Sequence, residues 1–243
     1  MTEEDKTLYK SKSGFETVKV VRGFTEIKNL FFYLKKSNIA CTICGGYVRY
    51  MASPLENPIP ASDIDIYSET EEDVEKIKQF MHNNNLEIKH ENNIFITYKS
   101  LNYTHPWFGC LPIQLIKPIK EGHIVALGDM KTILSNFDFT IIRAGLISET
   151  SVMVDADFVH DEQHKILRIK NIHCPVSSTL RCMKYSKKGY WLPPMQALKL
   201  FVDWQERGDD YRNRIVEFLE KANEGNKLSQ EDIDELEKLM RID

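Results

Sequence analysis

Asp63 and Asp65 stand one residue apart in Ser62-Asp-Ile-Asp-Ile-Tyr67, a short way after Cys44-Gly-Gly-Tyr-Val-Arg49. Side chains two apart on a strand share a face. Both carboxylates can therefore ligate divalent cations, while Ile64 and Ile66 enter a core. Mg²⁺ takes a few carboxylates plus substrate phosphates. Two such ions about 4 Å apart can clamp the attacking and leaving oxygens of a phosphoryl or nucleotidyl transfer. Gly45-Gly46 lets backbone N–H groups approach a triphosphate, because no Cβ intervenes. Arg49 follows one helical turn later and is placed to pair with phosphate. A lone Asp-x-Asp reads as surface acid and a lone Gly-Gly as a tight turn. Their succession points to phosphate beside metal.

These residues need strands and turns to hold them. Phe24, Ile27, Leu30, Phe31 and Leu34 recur at a helical period. Residues 39–44 read as a short buried strand, 47–52 as a helix start and 63–67 as a second strand, with Pro54, Pro58 and Pro60 marking the loop between. Acids at the start of 68–82 suit a helix N-terminus. Alternation marks strands near 86–89, 93–98 and 111–116. A short helix is expected over 128–135, and strands over 137–146 and 151–155. Four helical segments follow, at 179–187, 194–206, 209–222 and 229–239. The expected organisation is a mobile segment 1–22, a mixed α+β domain 23–155 and a small helical domain 156–243.

Composition excludes several classes. Hydrophobic residues make up 42% of the 243, enough for a core, and no apolar run is long enough for a membrane span. The polar N-terminus carries no signal pattern, so a cytoplasmic protein is expected. The net charge of −4 argues against gripping nucleic acid mainly by phosphate neutralisation, although Arg181, Lys184, Lys187 and Lys188 permit a local basic face. Cys41-Thr-Ile-Cys44 has no second cysteine pair and reads as a buried strand end rather than a redox or zinc motif. The aromatic stretch Tyr103, His105, Trp107, Phe108 reads either as a base-stacking loop or as a minor core.

The segment resembles the catalytic head of class II tRNA nucleotidyltransferases (CCA-adding enzymes) and bacterial poly(A) polymerases, within the DNA polymerase β-like nucleotidyltransferase superfamily. Their Gly-Gly-x-Val-Arg-Asp motif is matched by Gly45-Gly46-Tyr47-Val48-Arg49 and departs at Tyr50; their Asp-x-Asp is Asp63-Ile-Asp65. Asp138-Phe-Thr140-Ile keeps the core of their Arg-Arg-Asp-Phe-Thr-Ile-Asn block and loses both leading arginines. Ser177-Ser178-Thr-Leu-Arg181 falls where the family reads the base with Glu-Asp-x-x-Arg, keeping only the arginine. Gln114 is the counterpart of a third carboxylate found in much of the superfamily. The resemblance implies a mixed sheet flanked by helices, with a small helical C-terminal domain. It implies Asp63 and Asp65 as catalytic ligands of Mg²⁺ (or Mn²⁺). Gly45, Gly46, Arg49, Asp138, Thr140 and Arg181 would bind the nucleotide, with Lys184, Lys187 and Lys188 on RNA.

The expected activity is transfer of a nucleoside monophosphate from an NTP to an acceptor hydroxyl, foremost an RNA (tRNA) 3′ end, releasing pyrophosphate. Gln114, Tyr50 and the missing arginines keep open a catalytically silent nucleotide- or RNA-binding protein. The short chain keeps open modification of a protein or small molecule, as in toxin and resistance enzymes.

Overall fold

A computed structural model describes residues 12–92, 95–100, 111–117, 128–223, 229 and 232. Strand β1 (Phe15–Lys19) leads to helix α1 (Phe24–Lys36), which buries Ile27, Leu30, Phe31 and Leu34, the stripe its period requires. Strand β2 (Cys41–Cys44) enters helix α2 (Gly46–Ala52) through Gly45. Strand β3 (Ile64–Ser68) follows, then α3 (Glu71–Asn83), whose start is capped by Thr70 accepting from the Asp73 N–H. Strands β4 (Leu86–Glu91), β5 (Phe95–Ser100) and β6 (Ile113–Ile116) come next, then α4 (Met130–Ser135). A 3₁₀ turn (Thr140–Ile142) precedes β7 (Ala144–Ser148) and β8 (Ser151–Asp155). Helices α5 (Phe158–Gln163), α6 (Pro175–Ser186), α7 (Pro194–Glu206) and α8 (Asp209–Asn223) complete the described chain.

The strands form one sheet in the order β1-β8-β7-β2-β3-β6-β5-β4. Only the β3–β6 pairing is parallel, so the sheet is mixed. Ile64, Ile66, Ile96, Tyr98, Ile113 and Leu115 alternate onto one face and join α1, α2 and α3 in the main core. The intervening positions Asp65 and Gln114 face the other way, directly opposite each other across β3 and β6. A second core gathers Phe139, Ile141, Leu167 and Ile169 with Cys182, Tyr185, Tyr190 and Leu200 of the helical part. The α+β class, the mixed sheet flanked by helices and the helical C-terminal part are as the sequence implies.

Three local expectations change. Residues 15–19 are not a mobile tail but an edge strand paired with all five residues of β8; Phe15 and Val18 are its half-buried positions. The expected strand over 137–146 breaks at the 3₁₀ turn, after which β7 begins at Ala144. Helix α5 lies where no helix is expected from the sequence, and its Asp161 and Glu162 are fully buried. Residues 1–11, the aromatic stretch 101–110 and nearly all of the 229–239 segment lie outside the described residues.

Candidate nucleotide and metal site

The turn at Gly45 is built around an absent side chain. Its φ is +82°, a left-handed value that disfavours any residue with a Cβ. A Cβ there would lie 2.9 Å from Asp65 Oδ2. The Gly45 N–H donates to the Ala144 carbonyl, which pins the turn to β7. A Cβ on Gly46 would meet nothing within 4 Å, so its backbone borders open space. Asp63 immediately precedes β3 and Asp65 lies within it; both line a cleft of about 600 Å³ beside Gly45, Gly46 and Gln114.

Neither carboxylate forms an ion pair with a described cation, and Asp63 accepts only from the adjacent Ser62 hydroxyl at 3.0 Å. Burial, then the Asp63 charge, pushes the Asp65 carboxyl up to about 7, while Lys184 and Arg181 pull the other way. Two like charges on a cleft floor without a paired cation fit a divalent ion bound by oxygen. Among the described residues no group of three or more His, Cys, Asp or Glu gathers there. Burial and then Asp65 also raise the Tyr67 phenol, whose ring packs on Phe137 at 5.5 Å.

Helix α6 forms the facing wall. Ser177, Arg181 and Lys184 recur at a helical period and line the cleft, as does Lys188 just past the helix end. Ser178, Cys182 and Tyr185 take the core side. Leu180 and Met183 fall on a third, exposed face, and Lys187 shares it, so Lys187 points away from the cleft. Arg181 donates to Asp138 Oδ2 at 2.8 Å, and that carboxylate holds its guanidinium above the usual pKa. The Ser178 hydroxyl donates to the same oxygen at 3.0 Å. Asp138 Oδ1 is buried without a partner, an acceptor left over beside the cleft.

Two expected ligands are tied into buried hydrogen-bond networks, and one of them, Thr140, lies outside the cleft lining. Arg49 is only 2% exposed. Its Nη1 donates to Glu162 Oε1 and to the Tyr190 hydroxyl, both at 2.9 Å, and its Nη2 donates to the Ile59 carbonyl. The Tyr190 hydroxyl donates in turn to Glu162 Oε2 at 2.6 Å. The guanidinium thus ties α2 to α5 and to the helical part, while Arg49 also lines the cleft and its buried Nε has no hydrogen-bond partner among the described residues. Thr140 is fully buried and donates to Asp161 Oδ2 at 2.8 Å, away from the cleft lining. Asp161 also takes two hydrogen bonds from Arg168.

The cleft has a further wall that sequence reasoning missed: His90, Asn92 and Phe95 of the β4–β5 hairpin. No periodicity marks them, because their aim depends on strand register. The Cys-x-x-Cys pair is inert: burial pushes Cys41 up to about 12 and Cys44 well above its usual value, and both are free thiols.

Residues 16–165 match the family model "Gabija anti-defense 2 family protein", Gad2. The chain belongs to the Gad2 family. Curated proteins give no significant match. Among solved structures, an apo CCA-adding enzyme aligns at TM-score 0.52 and 18% identity, over 80% of this chain and 49% of that one. The Thermotoga maritima CCA-adding enzyme in complex with tRNA aligns at 0.51 and 19%, over 80% and 47%. The Bacillus stearothermophilus CCA-adding enzyme with CTP aligns at 0.51 and 16%, over 71% and 41%. This Gad2 chain therefore has the CCA-adding nucleotidyltransferase fold, while the family model that matches is Gad2 rather than a CCA-adding one. It spans about half the length of the structures it matches. No helix among the described residues is long and apolar enough to cross a membrane.

Proposed function

We propose that this Gad2 protein is a Mg²⁺-dependent nucleotidyltransferase that moves a nucleoside monophosphate from an NTP to an acceptor hydroxyl, with an RNA 3′ end as acceptor. The observation that carries this reading is the cleft floor: Asp63 and Asp65, without a paired cation among the described residues, beside the Gly45 turn that leaves no room for a Cβ. Asp63 and Asp65 would hold Mg²⁺ or Mn²⁺, which supplies charge neutralisation at the reacting phosphate. Gly45 and Gly46 leave the triphosphate free to approach the backbone. Lys184 of α6 and Lys188 just past its end face that charge, and Arg181 with the unpartnered Asp138 oxygen offers a donor and an acceptor to the nucleoside. In the transfer, the acceptor oxygen bonds to the α-phosphorus as the bond from that phosphorus to the β-phosphate bridge breaks. Pyrophosphate leaves, and the hydroxyl proton goes to solvent. Chemistry of this kind is mostly positioning and charge stabilisation.

The family name supplies the setting: the transfer serves to counter Gabija defence. Its site in the cell is the cytoplasm, where NTP and RNA are at hand. Pyrophosphate release from each NTP, with and without RNA, tests the chemistry, and Asp65→Ala should abolish it. Cells carrying Gabija should lose protection when the wild-type chain is expressed and keep it with Asp65→Ala. Pyrophosphate release that survives Asp65→Ala would overturn the assignment of the site.

A further inference from the structure

The β4–β5 hairpin carries a feature that a plain hairpin would not have. Ile88 pairs with Tyr98, yet His90 pairs with Thr97, so Lys89 is an extra residue in β4. Such a bulge reverses the facing of everything beyond it. Without it Lys89 would oppose Thr97 and His90 would face the core side. With it, His90 falls in a transverse row with Thr97, Gln114 and Asp65, each directly opposite the next on the cleft face. Three strand spacings separate Asp65 from His90, about 14 Å. That is too far for proton transfer at the carboxylates and within reach of a substrate anchored there.

The end of the row is a built surface. The His90 ring lies 5.6 Å from the Phe95 ring, and His90 is exposed while Phe95 is half-buried. Asn92 fixes the pair: its Oδ1 accepts from the Phe95 N–H at 2.9 Å, and its own N–H donates to the Phe95 carbonyl at 3.1 Å. Lys117 braces the turn through the Asn92 carbonyl at 2.7 Å. The wall and the α6 residues Arg181 and Lys184, assigned above to the nucleotide, come from different elements and line the same cleft. Between wall and carboxylates stands Gln114, neutral, so the approach from this side carries no third negative charge.

We infer that the His90–Phe95 pair is the acceptor subsite and takes an unpaired nucleobase near the end of a single-stranded polynucleotide. Flat rings held at a cleft rim are how exposed bases are bound without regard to sequence. A duplex end has its bases stacked already and gains nothing from the pair. This inference rests on the nucleotidyltransferase reading for its direction, but it can fail separately.

The test uses the full chain and a fluorescein-labelled 12-nucleotide single-stranded RNA followed by anisotropy. Binding of a fluorescent ATP analogue and label transfer from α-labelled NTP are measured in parallel. His90→Ala and Phe95→Leu should each weaken RNA binding by about 5- to 150-fold, the loss of one base–aromatic stack. ATP-analogue affinity should be unchanged. His90→Phe should restore RNA binding, which a merely structural role of His90 would not produce. The same RNA annealed to its complement should bind the wild type no better than it binds His90→Ala. Equal RNA affinity in wild type and His90→Ala, with Asp65-dependent transfer intact, would overturn the subsite alone. Wild-type transfer with no RNA binding would overturn the acceptor class. Absence of Asp65-dependent transfer to any acceptor, with RNA binding still dependent on His90, would overturn the enzymatic reading and leave the base-binding surface standing.

Discussion

Arg49 decides between two accounts of the glycine-turn motif, and its replacement separates them. If the guanidinium is a buried tie, Arg49→Met leaves Glu162 fully buried without its cation, and among the described residues only Tyr190 still bonds it. Removing one partner of a buried ion pair costs about 3–5 kcal/mol. For a chain of this size that lowers the melting temperature by about 6–20 °C. Glu162→Leu alone should cost a similar amount, because it strands the guanidinium. The triple variant Arg49→Met, Glu162→Leu, Tyr190→Phe removes every polar member of the triad together. It should recover most of the loss, since apolar replacement of a whole buried ion pair is often near neutral. The assay is thermal and urea unfolding of all variants at one pH, with NTP affinity measured on the folded protein. A melting temperature unchanged in Arg49→Met, together with a tenfold or greater loss of NTP affinity, would refute the structural role.

Further expectations follow from the same geometry. Gly45→Ala forces a Cβ against Asp65 at a positive φ; it should cost about 1–3 kcal/mol of stability and suppress turnover, whereas Gly46→Ala should melt like the wild type. Because the Asp65 carboxyl is raised to about 7, the folded state holds its proton where the unfolded state has lost it. Metal-free stability should therefore fall as pH rises from about 4 to 7, by a few kcal/mol at most, and Asp65→Asn should flatten that slope in pH-dependent urea unfolding. Millimolar Mg²⁺ at pH 8 should raise the wild-type melting temperature and leave Asp65→Asn unmoved. Cys41 and Cys44 should resist iodoacetamide at pH 8 in the native state and react after denaturation, as read by peptide mass; rapid native labelling of Cys44 would contradict its burial.

The parts of this molecule that sequence made legible are those governed by local periodicity. The stripe of α1, the alternation around Asp65 and the positive-φ need at Gly45 all follow from residues a few positions apart. The α6 face that carries Arg181 and Lys184, continued by Lys188 past the helix end, follows likewise, and the same period sets Lys187 apart. What stayed hidden depends on distant partners. Arg49 lines the cleft, but that its Nη1 is held by Glu162 and Tyr190, more than a hundred positions away, has no local signal. Thr140 and Asp161 are neighbours only once α5 packs on the 3₁₀ turn. His90 reaches the cleft through a bulge, and a bulge exists only relative to a paired strand. The edge strand β1 carries a weak local signal and owes its place to pairing with β8.

A nucleotidyltransferase cleft must break an NTP between its α- and β-phosphates. Parallel reactions with α-labelled and γ-labelled NTP, Mg²⁺ and single-stranded RNA, in wild type and Asp65→Ala, test it most directly. The account predicts the α-label on RNA and the γ-label in pyrophosphate, both lost in Asp65→Ala. The γ-label on an acceptor, or released as inorganic phosphate in an Asp65-dependent reaction, would contradict it.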